Sequence, residues 1–115
     1  MALELLNTVD IIEAMENYIA RVRPPEHVRD RLDINYKIEN QSIILFEIRP
    51  HFQNPANKIE SAYAKATYVK SGNNWKIYWM RGNLKWSLYE PKPQVRELKD
   101  FLALVDEDKH YCFLG

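Results

Sequence analysis

Two hydrophobic periods alternate along this chain, and the places where one gives way to the other mark its elements. In "NTVDIIEAMENYIARVRPP" the apolar residues Ile12, Met15, Ile19 and Val22 recur every three or four positions, with Ile11 and Tyr18 widening the stripe. That is the spacing of an amphipathic helix with one core face. Asn7 or Thr8 is placed to cap its start, with Asp10 in a capping-box-like position three residues after Asn7. Pro24 and Pro25 stop it, and Arg21 and Arg23 fall in the last turn, where the helix dipole favours cations.

After "PEHVRDR", which reads as a short helical turn, the period drops to two. In "LDINYKIE" Leu32, Ile34, Tyr36 and Ile38 alternate with Asp33, Asn35, Lys37 and Glu39, the signature of a half-buried strand. "NQ" turns into a second strand, "SIILFEIRP", ended by Pro50, and "HFQNPANK" is a loop with turn signals at Asn54 and Pro55. A third strand, "IESAYAKATYVK", passes through "SGNN" into a fourth, "WKIYWMR". Gly82 and Asn83 lead into "LKWSLYE", a fifth. Pro91 and Pro93 precede a final helix over roughly 94–105, with Val95, Leu98, Phe101, Leu102 and Val105 as its stripe. In the tail "DEDKHYCFLG", Phe113 and Leu114 are expected to dock on the domain.

Helix, antiparallel meander, helix predicts one α+β domain over 1–115: a sheet of four to five strands with the N-terminal and C-terminal helices packed on one face. The small residues Ala62, Ala64 and Ala66 of strand three suit close approach of a helix, which assigns Ile44, Phe46 and Ile48 to the same face. The other parity then carries Ile43, Leu45, Glu47 and Arg49, Tyr63 and Lys65, and Trp75, Ile77, Trp79 and Arg81. This second face is apolar at one end and charged at the other, so it calls for a partner: a ligand, a second copy forming a homodimer, or a curl of the sheet upon itself.

Composition narrows the classes. The chain has 115 residues, enough for one real core. Sixteen basic residues balance sixteen acidic ones, so any affinity for nucleic acid must come from local patches rather than from the whole-molecule field. A hydrophobic fraction of 46% with only 3 glycines excludes a disordered chain. A single cysteine, Cys112, and no signal-like N-terminus point to the cytoplasm, and no apolar run approaches the ~20 residues of a membrane span, so no membrane partner is expected.

The candidate chemistry gathers in "WKIYWMRGNLKW", which holds all three tryptophans. By parity, Glu47, Arg49, Lys65, Trp79 and Arg81 share one end of the second face, with Lys85 and Trp86 on the next strand. Guanidinium forks grip phosphate or carboxylate, and tryptophan offers a stacking face, so the set reads as an anion site for nucleic acid or a phosphorylated ligand. The same residues also read as a cross-strand ion-pair ladder. A small hydrolase with Glu47 as general acid or base is the enzymatic alternative. A nuclease-like Mg²⁺ site needs a second carboxylate, and Glu60 falls on the opposite parity. His110 and Cys112, with Asp106 and Asp108 nearby, match no established zinc spacing, and a solvated helix end followed by a docking segment accounts for them. Nothing local favours Cys112 as a nucleophile with His27, His51 or His110. With glycine only at 72, 82 and 115, the usual nucleotide-binding loops are excluded, and no metal or cofactor is expected.

The blocks "RPPEHVRDRLDINYKIENQSIILFEIRP", "AKATYV", "WKIYWMRGNLKWSLYEP" and "VDEDKHYCFLG" together resemble the small bacterial family catalogued as domain of unknown function 3024. The likeness runs from about residue 20 to the end. It implies a small single-domain bacterial protein and supplies no substrate, cofactor or catalytic residue. Two positions depart from the pattern: the usual acid before "LKW" is Asn83, and the usual histidine after it is Ser87. The reading that follows is a non-enzymatic binding module holding an anionic partner on an Arg/Lys/Trp sheet face.

Overall fold

A computed structural model describes residues 5–114. Helix α1 (Leu5–Val22) leads through a 3-10 turn (Glu26–Val28) to six strands: β1 (Asp33–Glu39), β2 (Ser42–Pro50), β3 (Lys58–Val69), β4 (Asn74–Met80), β5 (Trp86–Leu88) and β6 (Gln94–Val95). Helix α2 (Leu98–Glu107) follows. The strands form one antiparallel sheet in the order β1-β2-β3-β4-β5, and β6 pairs with β4 beyond the end of β5. The fold is therefore the expected α+β meander with helices at the two ends of the sequence.

Two boundaries differ from the pattern. α1 is already helical at Leu5, so Asn7 and Thr8 are helical positions rather than its cap, and the Asn7 side chain lies outside the described residues. α2 starts at Leu98 rather than near 94, because Val95 pairs opposite Trp75 as a buried strand residue and the Ile77 N–H donates to the Pro93 carbonyl at 2.9 Å. The loop with Pro91 and Pro93 thus interrupts one edge strand, and the helix begins where the Glu97 N–H meets the Asp100 carboxylate at 3.2 Å. It ends at Asp108, whose backbone is left-handed (φ 42°) and whose carboxylate accepts the Phe113 and Leu114 N–H groups at 3.0 and 2.9 Å. Phe113 docks against Tyr89, with ring centroids 4.9 Å apart, but Leu114 stays exposed.

The helices lie on one face of the sheet, over Ala64 and Ala66 as the small side chains suggest, but the β2 residues that share that face are Ile43 and Leu45 rather than Ile44, Phe46 and Ile48. Register pairs Ala66 with Ile43, Ala64 with Leu45, and Ala66 with Ile77. These residues are fully buried, together with Met15 of α1 and Phe101 of α2. Ala62 alone of the three alanines leaves that face, through a β-bulge: Leu45 faces Ala64, whereas the next residue, Phe46, faces Ala62, leaving Tyr63 as the extra residue. Tyr63 and Ala64 both turn into the helix-covered core, and Ala62 moves to the other side with Phe46. The apolar set Ile43, Leu45, Trp75 and Ile77, expected to need a ligand, a second copy or a curl of the sheet to cover it, is the core under the chain's own helices. In α1 the buried stripe is Ile11, Met15, Tyr18 and Ile19, with Ile12 exposed.

The open face carries Ile44, Phe46 and Ile48 of β2, Lys65 and Ala62 of β3, Tyr78 and Met80 of β4, and Trp86 of β5. Among the described residues no helix packs on it, yet Ile44 and Phe46 are buried, because long side chains on the flanking strands fold over them. The Lys37 Nζ lies 5.5 Å from the centre of the Phe46 ring.

Both sheet edges are blunted. On β1 the Ile34 and Tyr36 N–H groups donate to the side chains of Asp33 (2.8 Å) and Asn35 (2.9 Å), which withdraws two donors from any incoming strand. The other edge is the short, proline-interrupted pair β5 and β6.

Candidate binding face

The residues expected to form one constellation separate onto two faces. Glu47 and Arg49 lie on the helix side of β2 and pair with each other, Arg49 Nη2 donating to Glu47 Oε2 at 3.3 Å. Trp79 and Arg81 lie on the same side of β4, with the Arg81 guanidinium 5.9 Å from the centre of the Trp79 ring. Lys85 belongs to the β4–β5 turn, where its carbonyl accepts the Arg81 N–H at 3.0 Å. Lys65 and Trp86 point to the open face.

On that face they meet. The Lys65 Nζ lies 4.8 Å from the centre of the Trp86 ring and 4.8 Å from that of Tyr78. Register explains the contact: Lys65 faces Tyr78 across β3 and β4, and Tyr78 and Met80 face Leu88 and Trp86 across β4 and β5. Partial burial pulls the Lys65 ammonium below its ordinary lysine value, and the charge of Glu39 opposes that shift. The ammonium is thus held between two rings, over an apolar bed of Ile44 and Phe46. Lys37, farther along, is neutralised by Glu39 at 3.6 Å and Glu60 at 3.9 Å.

Tyr78 and Phe46 were missed in the sequence because of the face assignment. The signal was in strand four, where Lys76, Tyr78 and Met80 form a mixed polar and apolar parity beside the wholly apolar Trp75 and Ile77.

The other candidates assemble no reactive group. Glu60 sits opposite Ile48 on the open face, away from Glu47, so the two carboxylates do not converge. Burial, with Asp108's charge in support, pushes the Cys112 thiol up from its ordinary value, the reverse of what activates a thiolate nucleophile. Its Sγ contacts the His110 carbonyl at 3.6 Å. Among the described residues no three His, Cys, Asp or Glu side chains group to hold a metal, and no helix is long and apolar enough to cross a membrane. Grooves border the helices. One of 330 Å³ is walled by Tyr68 and Trp75 with Asp10, Arg96 and Glu97, and one of 490 Å³ includes Tyr18, Arg21, Lys99 and Asp106. The second is largely spanned by its own bonds, since Asp106 accepts from Tyr18 at 3.2 Å and from Arg21 at 2.9 Å.

No curated protein and no solved structure matches the chain. A family model matches residues 4–115, essentially the whole chain, and on that match the protein belongs to the family described as Domain of unknown function (DUF3024).

Proposed function

We propose that this protein is a non-enzymatic binding module that holds an anionic partner, a single-stranded nucleic acid, on the helix-free face of its sheet. The observation that carries the reading is Lys65 placed 4.8 Å from both Tyr78 and Trp86 on a face that no helix covers. Rings on neighbouring strands present flat surfaces on which bases stack, and an ammonium between them attracts the phosphates. A partly buried lysine is a costly choice at a position flanked by Ile44, Phe46 and Tyr78, where an apolar residue would pack without desolvating a charge. Its presence favours a role for the charge itself.

Because the chain carries no net charge, the attraction is local and weak, and salt weakens it further. Tryptophan fluorescence and filter binding with a single-stranded oligonucleotide at low salt test the reading. Trp86→Ala is expected to weaken binding about tenfold, the order of one lost stacking contact. Lys99→Ala, on the helix side, is expected to leave it unchanged. If the unaltered protein binds no single strand at low salt, the reading is wrong, and the Lys65 contacts belong to the sheet's own packing.

A further inference from the structure

The open face continues at one end into an arm. β1 pairs with β2 only as far as Ile48, and β4 pairs with β3 only as far as Ala64, so the ends of β2 and β3 run on as a two-stranded hairpin. At its tip Phe52 is 84% exposed and stacks on His51, with ring centroids 5.2 Å apart and planes 14° from parallel. The turn behind them is fastened: the His51 N–H donates to the Asn57 carbonyl at 2.8 Å, the Asn57 N–H to the Asn54 carbonyl at 2.9 Å, and the Gln53 N–H to His51 Nδ1 at 3.1 Å. The stack is therefore a fixed flat surface rather than a loose side chain.

Cations flank it. Arg49 is exposed on the helix side, paired with Glu47, and Lys58, opposite Pro50 on the open side, donates from Nζ to the neutral Asp30 carbonyl at 2.7 Å. Antiparallel register brings the β4–β5 turn, with Arg81 and Lys85, to the same end of the sheet.

Building on the single-strand reading, we propose that the arm tip is a second base-stacking station. A single strand seated on Lys65, Tyr78 and Trp86 runs along the open face toward the arm, passes its phosphates by Lys58, which stands opposite Pro50 on that face, and lays a further base on the Phe52 ring. Trp86 lies in the row of Phe46, and the chain from Phe46 to Phe52 reaches at most about 20 Å at ~3.3 Å per residue. That distance corresponds to about six bases at the ~3.4 Å spacing of stacked nucleotides. A protein partner suits the tip less well, since one ring and its neighbours bury far less than the ~1,000 Å² of a specific interface.

The test compares a thymidine 4-mer, which covers the platform alone, with a 12-mer, which reaches both stations, by fluorescence anisotropy at low salt. The 12-mer is expected to bind the unaltered protein about tenfold tighter than the 4-mer, as one added stacking contact provides. Phe52→Ala is expected to abolish most of that advantage while leaving 4-mer affinity and Tm unchanged. Tyr111→Ala, which removes an aromatic of similar exposure elsewhere, is expected to alter neither length. If Phe52→Ala leaves the 12-mer advantage intact, or weakens both lengths alike, the arm is not a second station and the platform reading stands. If the unaltered protein binds neither length, both fall together. Binding of anionic vesicles that requires Phe52, without any length effect on oligonucleotides, would also overturn the proposal and assign the tip to a lipid surface.

Discussion

The two faces of this sheet are made from similar residues and behave differently. On β2 the covered face presents Ile43 and Leu45 and the open face Ile44 and Phe46, and all four are buried. Under the helices, burial comes from elements distant in sequence: Met15 and Ile19 of α1 and Phe101 and Val105 of α2 close over Leu45, Ala64 and Ile77. On the open face, burial comes from neighbouring side chains, among them Lys37 over the Phe46 ring and Lys65 against Tyr78 and Trp86. The first face is committed to folding. The second is covered only by side chains of the sheet itself, which is why the proposed site is assigned to it.

Strand β3 offers the sharpest way to break that comparison, because the bulge puts Ala64 and Ala62 on opposite faces. Ala64→Leu is expected to destabilise the protein by about 1–3 kcal/mol, since the added carbons meet a core with no space beneath the helices. Ala62→Leu, facing Phe46 on the open side, is expected to shift stability by no more than about 0.5 kcal/mol. Denaturant melts of the two variants measure the difference. Equal losses would mean that both faces are packed to the same degree, and the distinction would fail.

That bulge also explains how far the sequence could be read. The elements were legible because their periods are clean: strict alternation from Leu32 to Glu39, helical spacing from Ile11 to Val22, and prolines at the boundaries. The choice of face was not, for two reasons. Strand β2 is apolar on both parities, so alternation there selects neither side. In β3 the extra residue at Tyr63 shifts the parity by one, so Ala62 does not share a face with Ala64 and Ala66 although the spacing says it does. The expected site inherited the error. Glu47, Arg49, Trp79 and Arg81 followed the parity of Ile43, Leu45, Trp75 and Ile77 to the helix side, whereas Lys65 and Trp86 went to the open face. Their meeting depends on the register of a three-residue strand, β5, which no local pattern specifies.

A smaller effect sharpens the contrast from the open side. Lys65→Met keeps the length and apolar stem of the side chain and removes its charge. Burial depresses the lysine in the folded state, so at neutral pH its protonation opposes folding, and that cost is relieved only as pH rises from the depressed value toward the ordinary one near 10.5. The variant is therefore expected to be as stable as the unaltered protein at neutral pH, or slightly more so, while binding single strands several-fold more weakly and with a shallower salt slope. Thermal melts and a salt titration read the two effects separately. A variant that loses stability and keeps its affinity would show the ammonium to be a packing device and not a contact for phosphate.

The smallest expected effect lies where the helix layer meets the open face. Arg23, just beyond α1, reaches Asp33 of β1 with two bonds, Nε to Oδ1 at 3.1 Å and Nη2 to Oδ2 at 2.6 Å. Asp33 stands opposite Ile48, on the open face, and also accepts the Ile34 N–H. Partial burial pushes the Asp33 carboxyl up, but the bonds from Arg23 and Ile34 outweigh it, and the net displacement is below the ordinary aspartate value. A carboxyl depressed on folding contributes stability that is fully present above its unfolded value, about 3.9, and is lost as pH falls through the lower folded value. Asp33→Asn keeps an oxygen for Ile34 and removes the charge. The unaltered protein is expected to be the more stable of the two at about pH 7, with the gap narrowing once pH drops below about 4. Because the pair reaches around the β1 edge from one face to the other, it also bears on how rigidly the open face is held to the covered one. Urea melts at several pH values measure the gap. A gap that does not change with pH would mean that the charge of Asp33 contributes nothing there, and that the packing of β1 against β2 alone keeps the two faces in register.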